Sequence, residues 1–174
     1  MEVLEAIKTR RSRRKFLKKR VPEEMLKKII DAARCAPSSR DSQPWEFIII
    51  RDEETKKKLA EIKGKENEEA IVGADIIVVV CVNRNKSKTR WVEDGVCASM
   101  NILLASHALG LGAVYITGYS NSSPEVTQKI KKLLNLLEEI IPISIIPIGY
   151  PDPEEKLEKK ELRNMDEIIH YERF

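Results

Sequence analysis

The 174-residue chain has few of the residue types from which most catalytic and metal centres are built. It contains two histidines and three cysteines, and aromatic residues make up only 5%. The cysteines, Cys35, Cys81 and Cys97, are odd in number and widely spaced, with no C-x-x-C pair and no Cys/His cluster. His107 and His170 are isolated in sequence, so neither a histidine metal site nor a Ser/His/Asp triad is supported. We expect no metal.

Long apolar runs are also missing. No apolar segment approaches the roughly 20 residues that cross a bilayer, and residues 1–5 have neither the basic n-region nor the apolar h-region of a secretion signal. Apolar residues make up 42% and charged residues 34%, which is typical of a folded globular protein. We therefore expect one domain over residues 1–174, located in the cytoplasm, with no membrane partner.

Positive charge is concentrated near the N-terminus, although the net charge is only +3. Eight of the eleven residues from Arg10 to Arg20 are Lys or Arg, and Ser12 lies among them. Guanidinium groups and a hydroxyl suit a phosphate dianion. A solvated basic surface and a nucleic-acid-binding arm are alternatives. Against nucleic acid, few aromatic residues interleave, and the pI of 8.7 falls below that of typical nucleic-acid-binding domains.

A second polar motif follows about twenty residues later, Ala36-Pro37-Ser38-Ser39-Arg40-Asp41-Ser42-Gln43-Pro44-Trp45. Taken alone, its proline and serines indicate a turn that enters a strand. Taken with the basic segment, it predicts the second half of a site for a flat cofactor that carries a phosphate. Because the chain offers so little acid–base machinery, we expect the cofactor to perform the chemistry.

Hydrophobic periodicity and turn residues predict helices mixed with about four strands, an α+β arrangement with a sheet covered by helices. Helices are predicted at 2–11, 22–36, from Asp52, 91–109 and from Pro124, and strands at 46–50, 75–82, 113–116 and 140–148. Pro142 and Pro147 indicate that the last strand lies at a sheet edge or carries bulges. The apolar helix 91–109 is predicted to be buried centrally or to form a subunit interface.

These residues resemble the nitroreductase family of flavin mononucleotide (FMN) dependent oxidoreductases along essentially the whole chain. The anchors are Arg10-Arg11-Ser12-x-Arg14, Ala36-Pro37-Ser38-Ser39-x-x-Ser42-Gln43-Pro44-Trp45, Gly110 to Gly118, and Gly149-Tyr150-Pro151 with Arg163. The resemblance implies an antiparallel-dominated mixed sheet sandwiched by helices. It also implies an intertwined homodimer with FMN at the subunit interface.

The resemblance further implies which residues hold FMN. One subunit would contribute the basic segment, with the phosphate at Arg10 and Ser12 and the N1–O2 edge of the flavin at Arg14. The same segment includes Arg11. The second subunit would contribute the loop containing Pro37, Ser38 and Ser39.

Four more positions complete the set that the resemblance implies. The backbone N–H groups of Thr117 and Gly118 would face flavin N5 and O4, and Arg163 would reach the phosphate. Asn67 would contact the pyrimidine edge. Ala70 stands where some members place a lysine near the flavin, which leaves Arg14 as the expected cation at that edge.

The resemblance implies that NADH or NADPH delivers hydride to flavin N5. A flat, electron-poor acceptor such as a nitroaromatic or a quinone would then be reduced, in a ping-pong mechanism without a side-chain catalytic base. Two other functions stay open on sequence alone. One is a non-catalytic flavin-binding or storage protein, and the other is a nucleic-acid-binding module that uses the basic arm.

Overall fold

The protein is described by a computed structural model that covers residues 1–174. Six α-helices and five strands are mixed along the chain. The helices are α1 Val3–Thr9, α2 Glu23–Arg34, α3 Glu53–Lys63, α4 Lys65–Gly73, α5 Trp91–Ala108 and α6 Pro124–Leu133. The strands are β1 Trp45–Ile50, β2 Ile76–Asn83, β3 Gly112–Ala113, β4 Ile116–Thr117 and β5 Ile140–Gly149.

The strands form one sheet in the order β1-β2-β5-β3, and β4 also pairs with β5. All the strand pairs are antiparallel, and an isolated bridge between Ser12 and Ala113 is parallel. This arrangement confirms the predicted α+β class with an antiparallel-dominated mixed sheet. None of the helices is long and apolar enough to cross a membrane.

Alternate residues of β2 point to opposite faces of the sheet, as strand geometry requires. Ile76, Val78 and Val80 are buried with α2 and α5, whereas Ile77 and Val79 are buried with α3, α4 and α6. The unbroken β-branched run of β2 is therefore explained by helices on both faces, which confirms the predicted sandwich.

The prolines of β5 are accommodated in the interior of the sheet, so of the two predicted alternatives, an edge position or a bulge, the bulge is the one observed. β5 pairs with β2 on one side and with β3 and β4 on the other. The predicted bulge is present, because the register with β2 shifts so that Ile143 is extra between Ser144 and Pro142. The Pro147 carbonyl accepts from the Val114 N–H at 3.4 Å. The Pro147 nitrogen, which has no hydrogen to donate, therefore faces the gap between the short strands β3 and β4.

Helix α5 packs on the sheet where β5 bulges. An added Cβ at Gly95 would lie 2.5 Å from Ile143 Cγ1 and 3.0 Å from Val82 Cγ1. The opposite side of α5 is open, since Val96 and Met100 are 40% and 48% exposed. The sequence predicted either a central buried position or a subunit interface for this helix. The structure shows that only one face of the helix is buried.

Two segments expose several apolar side chains. Val3, Leu4 and Ile7 of α1 are exposed. In the C-terminal segment that follows β5, Met165–Glu167 form a single 3₁₀ turn and the apolar side chains are exposed. These exposed side chains are Leu162, Met165, Ile168, Ile169, Tyr171 and Phe174.

We predict that Gly95→Ala lowers the free energy of unfolding by about 1–3 kcal/mol, because the new methyl group forces α5 away from Ile143. The matched control is Gly73→Ala in α4, where an added Cβ meets nothing within 4 Å. That variant is expected to be neutral or slightly stabilising. Urea unfolding measures both changes, and equal stability of the two variants would contradict the prediction.

Candidate functional site

The basic segment after α1 lies against the end of the sheet. Ser12 bridges to Ala113, and the Arg13 N–H donates to the Ala113 carbonyl at 3.0 Å. The close approach needs Gly112, because a Cβ there would lie 2.8 Å from the Arg13 Cβ. Gly112, within the Gly110–Gly118 motif, therefore allows the basic segment to pack against β3.

A cavity of about 530 Å³ opens beside this segment. Its lining residues are Arg10, Arg11, Ser12, Arg14, Glu155, Lys156, Leu157, Glu158 and Lys160. Five of the nine are Lys or Arg and two are Glu, so the cavity carries a net positive charge. The structure thus brings together the four predicted residues of the basic segment.

Glu155 orders this cationic cavity. One carboxylate oxygen accepts from the Arg14 N–H at 2.8 Å, and the other lies 3.6 Å from the Arg13 guanidinium. The Glu158 carbonyl accepts from the Arg11 guanidinium. Glu155 is thereby engaged with the basic segment through its carboxylate and Glu158 only through its backbone carbonyl, and neither Arg10 nor Lys160 has a carboxylate within 4.0 Å.

Arg163, which the resemblance places at the phosphate, lies outside the cavity in the single chain. Its guanidinium lies on the exposed C-terminal segment, 3.2 Å from the Glu167 carbonyl and 3.8 Å from the Glu167 carboxylate. The cavity is lined instead by Lys156 and Lys160 from the same segment.

The Thr117–Gly118 segment lies at the edge of β5. The Gly118 N–H, which the resemblance places opposite the flavin, donates to the Ile143 carbonyl at 2.8 Å. In an antiparallel ladder, the backbone N–H and C=O groups of successive residues point alternately toward the partner strand and away from it. Those of Thr117 therefore point away from β5. In agreement, the Thr117 carbonyl accepts from Lys63 Nζ at 2.7 Å.

Lys63 is a cation near this segment that the sequence did not reveal. Burial lowers the pKa of its ammonium group below the usual value, and Glu66 partly offsets that effect. Asn67, one turn later, donates its amide to the Lys63 carbonyl at 3.1 Å and to Glu66 at 3.2 Å. Ala70 is buried in the core, so it offers no group to a ligand.

The Ser38–Ser39 loop is strained and tightly held. Arg40, Asp41 and Gln43 have φ values of 53°, 53° and 42°, in the left-handed region that non-glycine residues rarely adopt. Each such residue costs about 1 kcal/mol or more. The Ser38 hydroxyl accepts from the Gln43 N–H at 3.0 Å, which closes the loop on itself.

A buried carboxylate fixes this loop to the start of α5. Asp94 is 4% exposed, and it accepts from the Ser39 N–H at 2.8 Å and from the Ser87 hydroxyl at 2.6 Å. Asp94 also lies in the first turn of α5, where a negative charge is favourable. The structure thus places Ser39 at one end of this helix.

The other end of α5 holds the basic segment. His107 Nε2 lies 2.8 Å from the Thr9 hydroxyl, whose hydrogen is directed to the Glu5 carbonyl. Burial, followed by the charges of Arg10 and Arg13, lowers the pKa of the His107 imidazole. A neutral imidazole therefore donates to Thr9 at neutral pH.

The length of α5 separates the two motifs within one chain. At about 1.5 Å per residue, Asp94 and His107 lie roughly 20 Å apart along the axis. Ser39 is bonded to the first of these residues and Thr9, next to Arg10, to the second. A single chain therefore holds the two predicted halves of the site far apart.

Comparisons with known proteins agree with this architecture. Residues 7–92 match the nitroreductase family. A protein of Methanothermobacter thermautotrophicus with a provisional assignment as NADH dehydrogenase/NAD(P)H nitroreductase is 45% identical over 153 residues, covering 87% of this chain and 78% of that protein. The chain belongs to the nitroreductase family.

Solved structures of other nitroreductases superpose along nearly the whole chain. One, from Parabacteroides distasonis and with the same provisional assignment, has a TM-score of 0.90 at 36% identity, covering 99% of this chain and 98% of that one. A protein from Desulfovibrio desulfuricans with a provisional assignment as a nitroreductase, in complex with FMN, has a TM-score of 0.82 at 28% identity, covering 100% of this chain and 98% of that one.

Four functional candidates of this nitroreductase were missed by the sequence reasoning. Lys156 and Lys160 join the cationic cavity, Lys63 binds the Thr117 carbonyl, and Asp94 holds Ser39. The sequence shows that Lys160 lies in a lysine-rich tail and that Asp94 lies at the start of a long predicted helix. It does not show which loop either side chain contacts, because those contacts depend on tertiary packing.

We predict that Asp94→Ala destabilises the protein by roughly 2–3 kcal/mol, since it leaves the Ser39 N–H and the Ser87 hydroxyl without their charged acceptor. Amide exchange of residues 38–43 should accelerate at the same time. The matched control is Glu93→Ala, which removes an exposed neighbouring acid and should change stability by about 0.5 kcal/mol or less. An unchanged exchange rate in the loop would contradict the role given to Asp94.

Proposed function

We propose that this nitroreductase is an FMN-dependent NAD(P)H oxidoreductase that reduces a flat, electron-poor acceptor such as a nitroaromatic or a quinone. The observation that carries the proposal is the cationic cavity around Ser12. Its donor set fits the phosphate of FMN, because a dianion is best held by several cations together with a hydroxyl. The FMN complex of the Desulfovibrio protein and the NAD(P)H-linked assignment of the Methanothermobacter protein support the choice of cofactor and donor.

Different residues of the cavity would bind different parts of the cofactor. Arg10, Arg11, Ser12 and Lys160 would hold the phosphate, and Arg14 the N1–O2 edge, where a guanidinium favours negative charge. The Thr117 N–H would serve the N5 side in place of the occupied Gly118 N–H. When bound, FMN supplies the hydride chemistry, accepting hydride from NAD(P)H at N5 and passing it to the acceptor in a ping-pong cycle.

Lys63 and Asn67 would order the pyrimidine side. The ammonium group of Lys63 fixes the Thr117 carbonyl at 2.7 Å, which orients the Thr117 peptide. Asn67 donates its amide hydrogens to the Lys63 carbonyl and to Glu66, so its side-chain oxygen remains available to accept from a ligand. These contacts position groups and require no side-chain base.

A homodimer would join the two halves of the site. One chain holds Ser39 and Arg10 about 20 Å apart along α5. Two chains related by a two-fold axis can place the Pro37–Ser39 loop of one beside the basic segment of the other. The exposed apolar residues of α1, of α5 and of the C-terminal segment supply a surface for this association.

We predict that Arg10→Ala weakens FMN binding about ten- to hundredfold, the loss expected for a charge-assisted hydrogen bond of roughly 1.5–3 kcal/mol. Quenching of flavin fluorescence on titration gives the dissociation constant. Arg34→Ala on α2 is the matched control, because Arg34 pairs with Asp31 outside the cavity. Equal FMN affinity in the two variants would count against the proposed phosphate site.

We predict that Met100→Glu dissociates the dimer and reduces FMN binding in the same sample, because a buried charge on α5 is costly at an apolar interface. Sedimentation velocity with detection at the flavin absorption band reports both changes. Leu137→Glu, at a residue that is 65% exposed between α6 and β5, should remain a flavin-loaded dimer. A flavin-loaded monomer of the unaltered protein would refute the dimeric site.

A further inference from the structure

A second cationic pocket lies between the Ser39–Ser42 turn and the loop from β2 to α5. Its volume is about 420 Å³, and none of its lining residues is acidic or apolar. The lining residues are Ser39, Arg40, Ser42, Asn85, Lys86, Ser87, Lys88 and Thr89. The pocket is separate from the cavity around Ser12, which shares no residue with it.

Two of its three cations have no acidic partner. Arg40 and Lys88 form no ion pair within 4.0 Å. Lys86 lies 3.3 Å from Glu46, but both side chains are half exposed, and such a pair contributes little. The nearby Asp41 carboxylate accepts from the Gln43 amide at 2.9 Å and does not line the pocket. The pocket therefore attracts an anion.

The walls of the pocket are held in place from beneath. The buried Asp94 carboxylate bonds Ser39 on one wall and Ser87 on the other. Arg40 is held with a positive φ. Ser42 is one of the lining residues, and its hydroxyl oxygen is buried and has no hydrogen-bond partner. A hydroxyl of this kind is a donor that a bound anion can satisfy.

We propose that this pocket binds the 2′-phosphate of NADPH and makes NADPH the preferred electron donor; the assignment rests on the proposed function. Ser39 belongs both to the proposed flavin loop and to the pocket wall, so the pocket begins beside the place where a nicotinamide would meet the flavin. A phosphomonoester dianion matches a pocket of three cations and several hydroxyls without a carboxylate. NADH, which lacks this phosphate, leaves the pocket without an anion.

The test uses the FMN-loaded protein and two variants that remove charge. Lys88→Gln removes one cation, and Arg40→Asn removes another while keeping a residue type that tolerates positive φ. Lys28→Gln on α2, an exposed lysine without an ion pair, is the matched control. Anaerobic bleaching of the flavin gives kcat/KM for NADPH and for NADH. Calorimetry compares adenosine 2′,5′-bisphosphate with adenosine 5′-monophosphate, which differ only in the 2′-phosphate.

The unaltered protein and Lys28→Gln should favour NADPH over NADH, and the bisphosphate over the monophosphate, by roughly ten- to hundredfold. Each variant should remove most of that preference while its values for NADH and the monophosphate change less than about threefold. Equal use of NADH and NADPH with equal nucleotide affinities overturns the pocket but leaves the proposed function intact. Failure of both donors to reduce bound FMN overturns the proposed function and, with it, this assignment.

Discussion

The close packing of α5 on the β5 bulge is the constraint on which the rest of the structure depends. Gly95 brings the helix against Ile143, whose carbonyl also accepts from the Gly118 N–H. The helix then carries Ser39 at its start, through Asp94, and Thr9 at its end, through His107. Because a helix is stiff over this length, the distance between the two half-sites is set by α5 and not by the loops that carry them.

The sequence predicted the elements well wherever a long periodic signal existed. The helix 91–109 and the strand 75–82 were placed within a residue or two of α5 and β2. The interior position of β5 was not predictable, because the effect of a proline depends on the direction of its missing donor. Pro147 faces the interruption between β3 and β4, and those two-residue strands exist only through pairing with β5. Strands that form only through such long-range pairing leave no local pattern in the sequence from which they could be predicted.

The candidate site was predictable in composition and less so in detail. Arg10, Arg11, Ser12 and Arg14 line one cavity because they lie close together in sequence along one segment. Lys160 comes from a segment some 150 residues away, and only the folded chain shows that it lies there and that Arg163 does not. The buried role of Asp94 was hidden for a different reason, since an acid in the first turn of a helix is already explained by the helix dipole.

The two cationic pockets also bear on why the chain tolerates so much unpaired positive charge. Arg10, Arg14 and Lys160 around one cavity repel each other, and Glu155 offsets only part of that repulsion. An anion that binds the folded state alone relieves the repulsion and stabilises that state in proportion to its affinity. The same positive charge that lowers the stability of the folded protein without an anion would therefore raise its affinity for a phosphate. The same reasoning applies to Arg40 and Lys88, and the strained turn that carries Arg40 is held by the buried Asp94 carboxylate through Ser39.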